Sequence, residues 1–272
     1  MIPWSDPSPE APSILLVDDD RHALLFLKSR LAFLGVRLDT AMDGVAALGV
    51  LATRQPDLIL SDAVMPRMDG FEFCRKVKAD PLLRAIPFAL LTSLKQNIRE
   101  RAQEAGADDY LSKQESDLIF RIRTRLLLAL GLRRERQGPG WAIPRRASVL
   151  VVSSAHPIQT QLEIHLAKEG LAVRAVASAE EALARLQAEG ADLLILDLEQ
   201  DSEALEGLID NLRVHPTLAD LPILALASKE EESSLAILEH EVQDRLLKPL
   251  DGLEIRHRVK LLLQLAGASA KI

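Results

Sequence analysis

Hydrophobic positions along the chain fall into short runs that alternate with longer amphipathic stretches. Ser13-Ile14-Leu15-Leu16-Val17 is a compact apolar run that stops at three aspartates, Asp18, Asp19 and Asp20. Over 23–34 the leucines at 24, 27, 31 and 34 recur at i, i+3, i+7 and i+10, one face of a helix, and Gly35 ends it. The alternation continues with a strand over 36–41, a helix over 44–53, and the run Leu58-Ile59-Leu60, which ends at Asp62. A loop with Pro66 and the turn pair Asp69-Gly70 leads to a helix over 71–79, closed by Asp80-Pro81. A fourth strand over 86–91 is closed by Thr92, and a polar helix over 95–105 by Gly106. A short fifth strand over 109–111 precedes Lys113, and a Leu- and Arg-rich helix spans 115–130. Continuous apolar strands alternating with helices predict a parallel sheet covered on both faces, built by right-handed crossovers.

The pattern breaks over 131–147, which holds Gly138-Pro139-Gly140 and five arginines and reads as a linker. It then returns at a constant offset of 135 residues. Ser13-Ile14-Leu15 meets Ser148-Val149-Leu150, Asp57-Leu58 meets Asp192-Leu193, Asp62 meets Asp197, and Lys113 meets Lys248. One matched dipeptide is chance; a fixed offset over about a hundred residues is a duplication. The expected organisation is a disordered tail over 1–12, one α/β unit over 13–130, the linker over 131–147, and a second unit over 148–272.

Composition narrows this reading. Hydrophobic residues make up 48% of the 272, yet aromatics only 3%, so the cores are built from Leu, Ile, Val and Ala. A single cysteine, Cys74, excludes an internal disulfide, suits a reducing cytosol, and reads as a packed thiol. No apolar run reaches membrane-spanning length and the Pro-rich start is no signal peptide, so a cytoplasmic protein without membrane contact is expected. The net charge of −7 is uneven: the 148–272 half carries 11 Lys/Arg against 21 Asp/Glu. Neither half shows the clustered basic face of a nucleic-acid binder.

The candidate chemistry lies where the strands end. Asp18 and Asp19, Asp62, Thr92 and Lys113 close strands one, three, four and five, and so share one edge of one sheet, where open α/β folds place their sites. An isolated strand-end Asp is more often a helix cap; four such positions together are not explained that way. Three carboxylates in one crevice suit a hard cation with oxygen ligands, Mg²⁺ or Mn²⁺. A carboxylate oxygen of Asp62 could attack a phosphoryl donor, with Lys113 offsetting charge and Thr92 donating a hydrogen bond.

These residues carry a resemblance. Val17-Asp18-Asp19, the loop Asp62-x-x-Met65-Pro66-x-x-Asp69-Gly70, Thr92-Ser93 and Tyr110 three residues before Lys113 are similar to the signatures of two-component response regulator receiver domains. The resemblance covers 13–130 and 148–266. It implies two flavodoxin-like (βα)5 domains, each a five-stranded parallel sheet in the order 2-1-3-4-5. It further implies phosphorylation of Asp62, metal ligation by Asp19, Asp62 and the Val64 carbonyl with Asp18 acting through water, and a switch made of Thr92, Tyr110 and Lys113. The family's lysine usually precedes proline. Here Gln114 follows, so either a cis bond persists without proline, at about 2.5–4 kcal/mol, or the lysine is aimed by other means.

The second copy departs from the pattern. Ser153 and Ser154 replace the acidic pair, Ala227 replaces Thr92, and Arg245 replaces Tyr110. Only Asp197 and Lys248-Pro249 persist, and an Asp197–Lys248 ion pair without a metal is expected. His156, His165, His215, His240 and His257 read as surface residues. The overall expectation is a phosphorelay regulator with metal at the first receiver only, supplied by a sensor histidine kinase or phosphotransfer protein. Its output would be binding to a downstream protein, with the second receiver as reader, scaffold or homodimer surface. No enzymatic activity beyond self-phosphotransfer and autodephosphorylation is expected. The alternatives are an adaptor whose two receivers act without phosphorylation, and the regulatory part of a diguanylate cyclase-type regulator. The intact set Asp19, Asp62, Thr92 and Lys113 favours the first reading.

Overall fold

The computed structural model describes residues 11–93, 97–137, 147–228 and 241–266; of 134–137 only the backbone is described. The chain divides into two compact units, Met1–Pro139 and Gly140–Ile272.

In the first unit five parallel strands, β1 (Ser13–Val17), β2 (Arg37–Ala41), β3 (Leu58–Asp62), β4 (Phe88–Thr92) and β5 (Asp109–Ser112), lie in the order β2-β1-β3-β4-β5. Successive side chains of a strand point to opposite faces, and both faces here are apolar. Leu15, Val17 and Ile59 join a core with Ala47 and Leu51 of α2 (Gly44–Leu51), Cys74 and Val77 of α3 (Gly70–Ala79), and Ala102 of α4 (Ile98–Ala105). Ile14, Leu16 and Leu60 face the other way, onto Leu24, Leu27 and Leu31 of α1 (Arg21–Leu31) and Phe120 and Leu127 of α5 (Asp117–Gln137). β1, β3 and β4 are buried along their whole length, as the unbroken apolar runs require. The register pairs Asp62 with Leu91 and Thr92 with Ser112, so these strands finish level at one sheet edge.

The second unit repeats this plan. β6 (Ser148–Val152), β7 (Ala172–Val176), β8 (Leu193–Asp197), β9 (Ile223–Ala227) and β10 (Asp244–Leu247) take the order β10-β9-β8-β6-β7. They are joined and covered by α6 (His156–Ala167), α7 (Ala179–Glu189), α8 (Ser202–Val214) and α9 (Gly252–Ala266). Side-chain detail also recurs at the 135-residue offset. Asp57 Oδ2 accepts from Ser13 N at 2.7 Å, and Asp192 Oδ2 from Ser148 N at 2.7 Å. Asp108 Oδ2 accepts from Phe88 N, and Gln243 Oε1 from Ile223 N.

Three details differ from the sequence reading. α5 does not stop before Gly131 but runs on to Gln137. Gly131 serves a close approach there: a Cβ would lie 1.9 Å from the Asp57 carbonyl oxygen. Pro12, expected in the tail, already belongs to the sheet edge, its carbonyl accepting from Arg37 N at 2.8 Å. Residues 1–10, Lys95, the stretch 138–146 and His240 lie outside the described residues. His156 is exposed, but His165, His215 and His257 are half-buried rather than on the surface. The His165 ring covers Gly252, where a Cβ would come within 2.1 Å of it.

Candidate functional site

The crevice at the end of the first sheet is made by groups that the strands deliver and the following turns lock. Asp18 follows β1 and is 1% exposed; its Oδ1 accepts from Asp20 N at 3.0 Å. Asp20 in turn caps α1 by accepting from His22 N at 2.8 Å, which leaves Asp19 outward and exposed. Asp62 ends β3, and its Oδ1 accepts from Ala63 N at 2.9 Å. One carboxylate oxygen from each of Asp18, Asp19 and Asp62 lies within 4.8 Å of the others.

Lys113 reaches into this cluster, its Nζ 2.7 Å from Asp18 Oδ2 and 3.0 Å from Asp62 Oδ1. Burial alone would draw the ammonium pKa down. The hydrogen bonds it donates to Asp18 and Asp62 outweigh it, and the pKa is raised, so Lys113 stays charged. Asp62 is pushed up, first by burial and further by Asp18, while Lys113 and the Ala63 amide pull the other way. Among the described residues the one cis bond is Lys248–Pro249, so Lys113 is aimed from a trans Lys113–Gln114 backbone.

The loop after Asp62 is fixed by its side chains. Met65 and Met68 are each 7% exposed and anchor it in the core, while Val64, just before Met65, is exposed. Arg67 adopts φ 67°, left-handed backbone uncommon outside glycine, and pairs with Asp43, the buried cap of α2. Asp69 caps α3, accepting from Glu72 N at 2.7 Å. Gly70 sits so close to the active strand that a Cβ would lie 2.0 Å from the Asp62 carbonyl oxygen. The turn pair Asp69-Gly70 was visible in the sequence, but the reason Gly70 is needed was not. Thr92 ends β4, buried at 3%, with its carbonyl accepting from Lys113 N at 2.8 Å. Tyr110 is half-buried on β5, and its hydroxyl accepts from Arg99 Nε at 3.3 Å.

The corresponding crevice of the second unit is closed on itself. Ser153 Oγ donates to Asp197 Oδ2 at 2.6 Å, and Lys248 Nζ lies 2.5 Å from Asp197 Oδ1 and 3.1 Å from Glu199 Oε2. Burial lowers the Lys248 pKa, but the bonds to Asp197 and Glu199 outweigh it and raise it. With its amide oriented so that both of its groups find partners, Gln200 accepts from Ser154 and donates to the Ala177 carbonyl, beside the serines. Ala227 and Arg245 are buried where the first unit has Thr92 and Tyr110. Among the described residues no carboxylate triple like that of Asp18, Asp19 and Asp62 surrounds Asp197.

The family model for the response regulator receiver domain matches twice, over residues 14–123 and 149–260. The chain belongs to the response regulator receiver family. Response regulator PleD of Caulobacter vibrioides is 33% identical over 272 residues, covering 92% of this chain and 59% of the relative. Response regulator MprA of a Mycobacterium species is 39% identical over 117 residues, covering 42% of this chain and 50% of the relative. The chain thus spans between half and three-fifths of the length of these relatives. Among solved structures, the receiver domain of a Syntrophus aciditrophicus signal transduction histidine kinase is 34% identical, covering 48% of this chain and 98% of its own, with a TM-score of 0.43. The receiver domain of a Pseudomonas aeruginosa sensor histidine kinase, solved with magnesium coordinated in its active-site cleft, is 29% identical over 44% of this chain and 98% of its own, with a TM-score of 0.40. The two family-model matches, with the two sheets of one strand order, make both halves of the chain receivers with the flavodoxin-like order. No described helix is long and apolar enough to cross a membrane.

Proposed function

We propose that the chain is a phosphorelay response regulator in which the receiver over 13–130 is phosphorylated on Asp62 and the receiver over 148–272 is a degenerate partner. The observation that carries this is the contrast between two copies of one site. The first holds three clustered carboxylates and a lysine; in the second Asp197 is already bonded by Ser153 and Lys248, and the other carboxylate on that lysine is the exposed Glu199.

Asp62 Oδ1 is engaged by Ala63 N and Lys113, which leaves Oδ2 as the nucleophile. It attacks the phosphorus of a phosphohistidine on a sensor kinase or phosphotransfer protein. The P–N bond breaks with its electron pair on the departing imidazole, and an acyl phosphate forms. Lys113 shifts from Asp62 to the transferred phosphoryl oxygens, and the Thr92 hydroxyl donates to one of them. The all-oxygen donor set fits a divalent cation: Asp19, Asp62 and the Val64 carbonyl, with Asp18 through water, would hold Mg²⁺ or Mn²⁺, which supplies charge against those oxygens. The added charge of about −1.5 to −2 draws Thr92 and Tyr110 inward and changes the face of α4, β5 and α5, where a protein target would bind.

Incubation with acetyl phosphate and Mg²⁺, borohydride trapping and peptide mapping test the assignment. The label is expected on the peptide that carries Asp62. Label on the Asp197 peptide, or none, contradicts it.

A further inference from the structure

The phosphoryl chemistry above requires the Lys113 ammonium at a fixed place, and the present inference rests on that reading. Upstream, strand pairing holds the residue through its N–H on the Thr92 carbonyl. Downstream, the chain turns through Gln114, Glu115 and Ser116 before α5 begins at Asp117. Inside this turn Gln114 N donates to Ser112 Oγ at 3.1 Å and Glu115 N to the Ser112 carbonyl at 3.0 Å. Both bonds are local and tie the turn only to β5 itself.

An anchor to the rest of the fold comes from α1. Arg30, in its last turn, has a side chain only 6% exposed. Its Nη2 donates to the Glu115 carbonyl at 3.0 Å, and its Nε lies 2.7 Å from Asp117 Oδ1. The guanidinium lies over the Phe120 ring, 4.0 Å from its centroid. Arg30, Asp18 and Lys113 also line one small cavity of about 40 Å³ beside the acid crevice. The guanidinium thus ties the turn after Lys113 to the helix that follows Asp18, by a hydrogen bond to the Glu115 carbonyl and an ion pair with Asp117 at the far end. A guanidinium suits this task because its donors are fixed in one plane.

The second receiver supplies a control. There Gln161 of α6 donates through Nε2 to the Leu250 carbonyl at 2.8 Å. By the 135-residue offset Leu250 is the counterpart of Glu115, but Gln161 is the counterpart of Phe26, not of Arg30. The same carbonyl, two residues after the lysine, is tied to the same helix by two non-equivalent side chains. We propose that Arg30 is a positioning residue: by pinning the Glu115 carbonyl and Asp117 to α1, it fixes the turn that aims Lys113 at the incoming phosphoryl group.

The test is a double-mutant cycle on the full chain. Beryllofluoride with Mg²⁺, a stable stand-in for the phosphoryl group, is titrated by fluorine NMR into wild type, Arg30→Met, Lys113→Ala and the double variant, at concentrations raised until binding is measured. Methionine keeps the stem against Phe120 and removes the donors. Arg30→Met is expected to weaken binding about tenfold when Lys113 is present and not at all when Lys113 is alanine. Arg30→Lys, with a charge but no fork, is expected to fall between, and it carries the comparison if Arg30→Met does not fold. Wild-type affinity in Arg30→Met overturns the inference. So does an equal loss in both backgrounds, which makes Arg30 a structural residue only. A wild type that binds no beryllofluoride refutes the phosphoryl reading itself.

Discussion

At the scale of single residues, burial separates the chain's reactive groups. Cys74 is fully buried on α3, and that burial pushes its thiol pKa from 9.0 up to about 12. A raised folded pKa means the neutral thiol is favoured in the native state. The associated stability is complete below the ordinary value of 9.0 and is lost as pH rises from there toward about 12. Native protein is therefore expected to resist iodoacetamide between pH 7 and 9 and to react at once in denaturant; modification of the folded protein at pH 8, followed by mass, would contradict this packing. The acids at the crevice were legible in the sequence because each ends an apolar run, and a strand end is a place that periodicity can locate. Arg30 was not, because its partners Glu115 and Asp117 lie far along the chain and nothing in its local pattern marks it. The Arg67–Asp43 pair escaped for the same reason. Long-range polar contacts depend on crossover geometry, which a period-2 or period-3.6 pattern does not encode.

At the scale of elements, glycines show where sequence signals divide. Gly35 ends a helix in left-handed backbone, φ 62°, as its position suggested. Gly131 carries the same letter but sits inside α5, where the helix crosses the Asp57 carbonyl. The sequence shows a glycine and a Pro/Gly/Arg-rich stretch beyond it, and only the packing shows that the glycine faces another backbone. Opposite outcomes follow for two substitutions. Gly131→Ala forces a methyl to 1.9 Å from backbone that cannot yield and should destabilise by about 1–3 kcal/mol. Gly49→Ala, on the exposed face of α2 with nothing within 4 Å, should stabilise by up to about 1 kcal/mol through helix propensity. Urea unfolding of the two variants checks the pair, and the same sign for both would refute the packing of α5 against Asp57.

At the scale of the whole molecule, the constant offset predicted two copies of one fold, and two sheets of one order are what the structure holds. The duplication reaches single hydrogen bonds. Asp57 and Asp192 each staple the start of the first strand of their unit at the same distance. Asp57→Ala and Asp192→Ala are therefore expected to cost similar amounts, about 1–3 kcal/mol each, because each orphans a strand amide. Denaturant curves that differ several-fold between the two would contradict the equivalence of the copies. What the copies do not share is the set of side chains at the strand ends. In the second unit Ser153 and Lys248 engage the two oxygens of Asp197, and Lys248 also meets Glu199. The sequence showed the loss of the acidic pair and of Thr92. It did not show that Glu199, itself exposed, reaches Lys248, or that Gln200 lies against Ser154.

The claim that joins these scales is that one of two homologous aspartates accepts a phosphoryl group. Intact-mass spectrometry after treatment with acetyl phosphate and Mg²⁺ tests it directly on wild type, Asp62→Asn and Asp197→Asn. One added phosphoryl group is expected on wild type and on Asp197→Asn, and none on Asp62→Asn. A second group on wild type, or a group that persists in Asp62→Asn, would contradict the account.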